Sequence, residues 1–155
     1  MARLRLRYSE VRRRFTLTAG VHVSALGSPH VTAEFVVDTG TGRSALSHAT
    51  AADLGVDIGR LRTVPTGGVT AIEERPVLPG VTLRLVGEDV VRVPLDYVLV
   101  LTDLRRKGKA GRGGAPVRRA AALSAPSLFG LDALARLRGR LDIDMAKEEG
   151  WIAWG

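Results

Sequence analysis

The chain has 155 residues, 45% of them apolar but only 5% aromatic, and its 23 basic and 16 acidic residues leave a formal charge of +7. That length fits one domain with one core, the apolar share argues against disorder, and aliphatic Val and Leu must fill most of the interior. With no cysteine, disulfides, thiolate metal sites and cysteine nucleophiles are excluded together.

The first residues, Met1-Ala2-Arg3-Leu4-Arg5-Leu6-Arg7, carry positive charge but no continuous apolar run and no cleavage site, so they do not read as a secretory signal. No stretch reaches the length of a membrane span, and a cytoplasmic protein without a membrane partner is the expectation. Arg alternates here with Leu, Ala or Tyr, which gives either an edge strand with one basic face or a loose arm. Residues 1–14, closing on Arg12-Arg13-Arg14, are set apart as a basic N-terminal arm, and 15–155 as the folded domain.

Phe15 to Thr18 and Val21 to Val23 read as two strand-like pieces around Ala19-Gly20, and Gly27-Ser28-Pro29-His30 as a turn. Val31 to Val37 is the next strand. It delivers Asp38 into a tight turn, Asp38-Thr39-Gly40-Thr41-Gly42-Arg43-Ser44. A carboxylate at a strand end is costly unless hydrogen-bonded, and Thr39, Thr41 and Ser44 offer hydroxyls while Gly40 and Gly42 let backbone come close. Val37-Asp38-Thr39-Gly40, with a hydrophobic strand before it and Ser44 after it, resembles the catalytic loop of the retropepsin-like (retroviral-type) aspartic proteases. Thr41 departs from that pattern, where a small Ala is commoner.

Ser47 can cap a short helix through Ala49, Ala51, Ala52 and Leu54 that ends at Gly55. From Leu61 to Leu85 the chain is strand-like, with a hairpin turn at Thr66-Gly67-Gly68-Val69 and a break at Pro76-Val77-Leu78-Pro79-Gly80. By the resemblance the glycine-tipped hairpin is a flap, and Gly67 and Gly68 bring backbone donors to substrate. Val90 to Val93 and Tyr97 to Leu101 continue a pattern of short strands, which suggests an all-β, barrel-like sheet. Residues 103–122 form a basic insertion without periodicity, and Arg105 to Arg119 holds no acidic residue.

Ser127-Leu128-Phe129-Gly130-Leu131-Asp132 then opens into a helix through Leu134 and Leu137 that Gly139 ends. It resembles the hydrophobic-hydrophobic-glycine segment that supports the catalytic loop in the same family. On that reading Gly130 is needed because a β-carbon would collide with the loop, and Phe129 lines a substrate pocket, with a core role for it equally open. Asp132 reads only as a favourable charge at a helix start. Leu141 to Met145 and Trp151 to Trp154 form a terminal strand pair.

The resemblance covers residues 15–102 and 123–154 and implies an acid-protease barrel with one or two short helices, one lobe per protomer. It implies an aspartic endopeptidase without a metal or other cofactor, acting on peptides or proteins. Two carboxylates must share one proton in such chemistry. The sequence holds a single Asp-Thr-Gly, so the pair would be Asp38 from each of two protomers in a homodimer, with Thr39 locking the loops across the axis. In that family a sheet of interleaved termini often holds the dimer; Trp151 to Trp154 and the N-terminal strands are the candidates here, in an arrangement the sequence does not fix. Two other readings compete: a non-catalytic retropepsin-like binding or dimerisation module, and a nucleic-acid binder using the basic run 105–119, which lacks interleaved aromatics for base stacking. His22, His30 and His48 have no metal-ligand spacing.

Overall fold

The computed structural model describes residues 1–27, 30–67, 72–102 and 123–155. The basic insertion 103–122, the flap residues Gly68 and Val69, and Ser28-Pro29 of the expected turn lie outside the described residues.

The chain is built from strands: β1 (Ala2–Arg5), β2 (Arg7–Ser9), β3 (Arg14–Val23), β4 (Val31–Val37), β5 (Ala45–Ser47), β6 (Thr63–Gly67), β7 (Ile72–Val86), β8 (Val90–Leu101), β9 (Ser127–Phe129), β10 (Arg140–Asp144) and β11 (Glu149–Trp154). Two short α-helices, α1 (His48–Asp53) and α2 (Leu131–Leu137), interrupt them. The larger sheet runs β2-β3-β4-β9-β5-β8-β7-β6, and a further pairing of β3 with β7 closes six of these strands into a barrel. Closure removes the exposed edges that a sheet of this size would otherwise present.

The apolar residues that point inward pack as one main core, including Leu17, Val21, Phe35, Leu46, Val81, Leu83, Val100 and Phe129. A second, smaller cluster of Ala45, Val77 and Leu99 takes in Val64, Tyr97, Leu101 and Leu128 at its margin.

Several local expectations hold. The strand before Asp38 is β4, paired antiparallel to β3. The Ser47 hydroxyl accepts the Thr50 N–H at 3.1 Å and caps α1. Two are corrected. The pieces on either side of Ala19-Gly20 are one strand, because β3 holds β4 along one edge and β7 along the other through that stretch. The break at Pro76 to Gly80 is likewise absent, and β7 runs through it.

The reason lies in the neighbours of β7. Residues 72–76 pair with β6 and residues 81–85 with β3, so Pro79 and Gly80 fall where one partner ends and the next begins, and the missing proline N–H interrupts no ladder there. Gly80, at φ 66°, supplies the kink. The end of α2 also differs in detail: the left-handed residue is Arg138, at φ 51°, while the Gly139 N–H closes the turn on the Leu134 carbonyl at 2.9 Å.

The N-terminal residues are woven into both sheets. β1 pairs with β11, β10 pairs with the other edge of β11, and β2 pairs with β3. Leu6, between β1 and β2, is 4% exposed in the main core, so the alternation that gives the segment a basic face also gives it an apolar one. Each terminus has a strand partner within its own chain. Among the described residues no helix is long and apolar enough to cross a membrane.

Candidate active site

The site grows from one topological fact. β9 lies between β4 and β5, parallel to the first and antiparallel to the second. The chain leaving β4 must therefore cross over the end of β9 before it can return as β5. Residues 38–44 make that crossing.

Asp38 begins it. Its backbone N–H donates to the Phe129 carbonyl at 3.1 Å and extends the β4–β9 ladder by one residue. Strand alternation then fixes where its side chain points. Phe35 and Val37 face the main core, so Val36 and Asp38 share the opposite face. Val36 lies beside Leu128 in the register, and Leu128 belongs to the second apolar cluster. Asp38 is half-buried, and its Oδ1 accepts the Gly40 N–H at 2.9 Å.

The Thr41 and Ser44 hydroxyls serve the loop and not the carboxylate, which corrects the expectation for those two. Thr39 is exposed. Thr41 Oγ1 donates to the Arg43 carbonyl at 2.9 Å and accepts the Arg43 N–H at 3.4 Å, and the Thr41 carbonyl accepts the Leu131 N–H at 3.0 Å. Ser44, with 0% exposure, donates its N–H (2.8 Å) and its hydroxyl (2.7 Å) to Oδ1 of Asp132. The same Oδ1 accepts the Ala133 N–H at 2.8 Å. Ser44 Oγ in turn accepts the Gly130 N–H at 3.0 Å.

Gly130 sits directly beneath the crossing. A β-carbon there would lie 2.7 Å from the Arg43 carbonyl carbon and 3.0 Å from the Ser44 nitrogen, closer than packed atoms approach. The expected role of Gly130 is thus matched by the geometry, at the Arg43-Ser44 end of the loop.

Asp132 is the residue that sequence reasoning passed over. It joins a helix start to a loop 88 positions earlier in the chain, and only a long-range pairing with Ser44 could have revealed it. Its Oδ2 is buried without a hydrogen-bond partner among the described residues. A carboxylate accepting three donors on one oxygen is a strong clamp, because each bond to a charged acceptor exceeds a neutral one.

Phe129 needs correction. It is 2% exposed and belongs to the main core, on the opposite face of β9 from Leu128, so it supports the fold and cannot line a pocket on the Asp38 side. Leu128, half-buried against the second cluster, lies on that side. Of the expected flap residues, Thr66 is half-buried and Gly67 exposed at the end of β6. Among the described residues no cluster of His, Cys, Asp and Glu is arranged to hold a metal ion.

The closed six-strand barrel, the crossing loop over β9 and the projecting β6–β7 hairpin together define a retropepsin-like fold. The chain is similar to the crystal structure of a retropepsin-like aspartic protease from Rickettsia conorii, with a TM-score of 0.59 and 20% sequence identity over 98% of this chain and 90% of that one. No family model matches the sequence, and no curated protein does.

Proposed function

We propose that the protein is an aspartic endopeptidase whose active site forms when two copies bring their Asp38 loops together. The observation that carries this reading is the placement of Asp38. It stands half-buried at the end of β4, on a loop held by Ser44, Gly130 and Asp132, on the face of the barrel shared with Leu128 and Val64. Such a fixed carboxylate is what general acid–base work on a peptide bond needs.

One chain supplies one such carboxylate, and the chemistry takes two. Like charges about 3 Å apart cannot both ionise, so a pair of Asp38 side chains shares a proton. The ionised member takes a proton from a water molecule as that water attacks the peptide carbonyl carbon. The protonated member hydrogen-bonds to the carbonyl oxygen and then donates its proton there. In the collapse, the carboxyl that took the water's proton gives it to the leaving nitrogen, the C–N bond breaks, and the other carboxylate takes a proton from a hydroxyl of the intermediate, which restores the shared-proton pair. Gly40 fixes the orientation of each carboxylate through its N–H. Thr39, exposed at the loop tip, is positioned to bond across a two-fold axis.

Substrate would lie extended beneath the β6–β7 hairpin, with Thr66, Gly67, Gly68 and Val69 closing over it by main-chain hydrogen bonds. Asp38→Asn tests the reading: the variant should keep its circular dichroism spectrum and melting temperature while cleavage of a mixed peptide library falls by about 10³-fold or more. Wild-type activity per chain should also drop on dilution as dimers separate. Cleavage that survives the substitution, or a specific activity independent of concentration down to full monomer by sedimentation, excludes the mechanism.

A further inference from the structure

The loop that begins with the Asp38 carboxylate ends with a cation. Arg43 is exposed, and its guanidinium carbon lies 4.5 Å from the centre of the Tyr97 ring. Strand register explains the pairing. β5 and β8 run parallel with Ala45 beside Leu99, so the residues two places earlier on each chain, Arg43 and Tyr97, are neighbours on the same face. The Arg43 backbone is held at both its N–H and its carbonyl by the Thr41 hydroxyl, and the ring holds the head group. A cation fixed at both ends loses little further freedom on binding a ligand.

What distinguishes Arg43 is the missing acid. Two other arginines stack on an aromatic ring, Arg3 and Arg5 on Trp151. Each of those also pairs with a carboxylate at 3.1 Å, Arg3 with Glu88 and Arg5 with Glu149. Among the described residues Arg43 has no such partner. It is oriented as they are, with its charge left over.

Its surroundings indicate what the charge is for. Tyr97 borders the second apolar cluster, where Ala45 from the end of the loop, Leu128 from β9, Leu99 from β8 and Val64 from the hairpin meet. This is the face on which Asp38 projects. The result is an apolar surface in which half-buried Val64, Tyr97 and Leu128 cover buried Ala45 and Leu99, with a stacked guanidinium at its edge.

We propose that Arg43, oriented by Tyr97, is a specificity-determining residue that takes the Asp or Glu side chain of a peptide lying across this apolar surface. The inference rests on the peptide-cleft reading of the site. The planar guanidinium matches a carboxylate with two parallel hydrogen bonds, while the methylene stem of the ligand lies against half-buried Leu128. An endopeptidase substrate continues on both sides of the bond that is cut, so on that reading the carboxylate is that of a side chain and not of a C-terminus.

The test uses pairs of peptides blocked at both ends that differ only by Glu against Gln at one position, scanned across an otherwise fixed sequence. Two measurements are made on each pair: cleavage by the wild type, and binding to Asp38→Asn protein by fluorescence anisotropy. At one position the Glu peptide should be favoured in kcat/KM and in affinity by about 10- to 100-fold, the range of one charged hydrogen-bonding pair. Arg43→Leu should erase the preference, Arg43→Glu should shift it to Lys, and Tyr97→Leu should weaken it where Tyr97→Phe does not. A wild type that treats Glu and Gln alike at every position, or an Arg43→Leu protein that keeps the preference, overturns the proposal. Should no peptide be cleaved, the endopeptidase reading fails separately, and the binding arm still decides: discrimination that depends on Arg43 supports the subsite, and its absence removes it.

Discussion

The crossing loop and the β6–β7 hairpin, the two walls of the proposed cleft, are made to opposite specifications. The crossing loop at 38–44 is locked into the barrel: Ser44 is wholly buried, its N–H and hydroxyl are both engaged by Asp132, and Gly130 fills the space beneath without a side chain. The outer half of the β6–β7 hairpin is a two-stranded arm in which exposed residues alternate with half-buried ones along β6. Two-stranded ribbons are marginal by themselves. If the proposed endopeptidase reading holds, the difference suits a carboxylate that stays still beneath a cover that opens and closes. Substitutions that act on one wall and spare the other measure how far that division holds.

The largest effect is expected under the loop. Gly130→Ala forces a methyl group against the Arg43 carbonyl, and neither the loop backbone nor β9 can move without breaking the ladder on each side. A loss of about 3 kcal/mol follows, or roughly 10 °C in melting temperature, together with loss of any peptidase activity. Thermal melts followed by circular dichroism check the first and peptide cleavage the second. A Gly130→Ala protein as stable as the wild type means that the loop is compliant and the contrast between the walls is weaker than drawn here.

Next is Asp132→Ala, which strands the N–H and hydroxyl of a buried serine. The cost should be about 2 kcal/mol by urea denaturation. Ser44→Ala removes the same hydroxyl bond from its other end, so the double variant should lose less than the two single losses added. Strict additivity would show that Asp132 and Ser44 act separately. Ser47→Ala, at the N-cap of α1, tests the path by which the chain leaves the loop; about 1 kcal/mol is expected from the lost cap bond to Thr50.

How much of this could be read from the sequence depends on the range over which each feature is decided. β4, Asp38 at its end and the Ser47 cap are decided within a few residues, by apolar spacing and a hydroxyl before a helix, whereas the glycine beneath the loop was legible only through the family resemblance, because Ser44 above it lies 86 residues away. The continuity of β7 through Pro76, Pro79 and Gly80 is decided by β6, β3 and β8, whose hydrogen bonds outweigh local breakers at a point where no ladder bond is required. Asp132 was legible as a helix-start acid and no further, since its partner lies 88 residues away. Phe129 and Leu128 are both apolar, and only the alternation set by Phe35 and Val37 decides which of the two meets the cleft. Local chemistry located the site, and long-range pairing assigned the work within it.

The smallest effect in stability is the most informative about the cover. Arg75, on the inner part of the arm, donates from Nη1 to the Thr102 carbonyl at 3.2 Å, and the Val77 N–H donates to the Arg62 carbonyl at 2.9 Å just below it. These bonds fasten the hairpin where it leaves the barrel. Arg75→Ala removes the first, and with its side chain still partly solvated the change in global stability should stay within about 0.5 kcal/mol. Local opening is another matter, because the arm has few apolar contacts to resist it. Amide hydrogen exchange should accelerate severalfold across residues 63–67 and 72–76 while the amides of β4 and β9 keep their wild-type protection. Equal acceleration in both places would mean that the hairpin and the barrel open as one unit, and the cover would then have no hinge of its own.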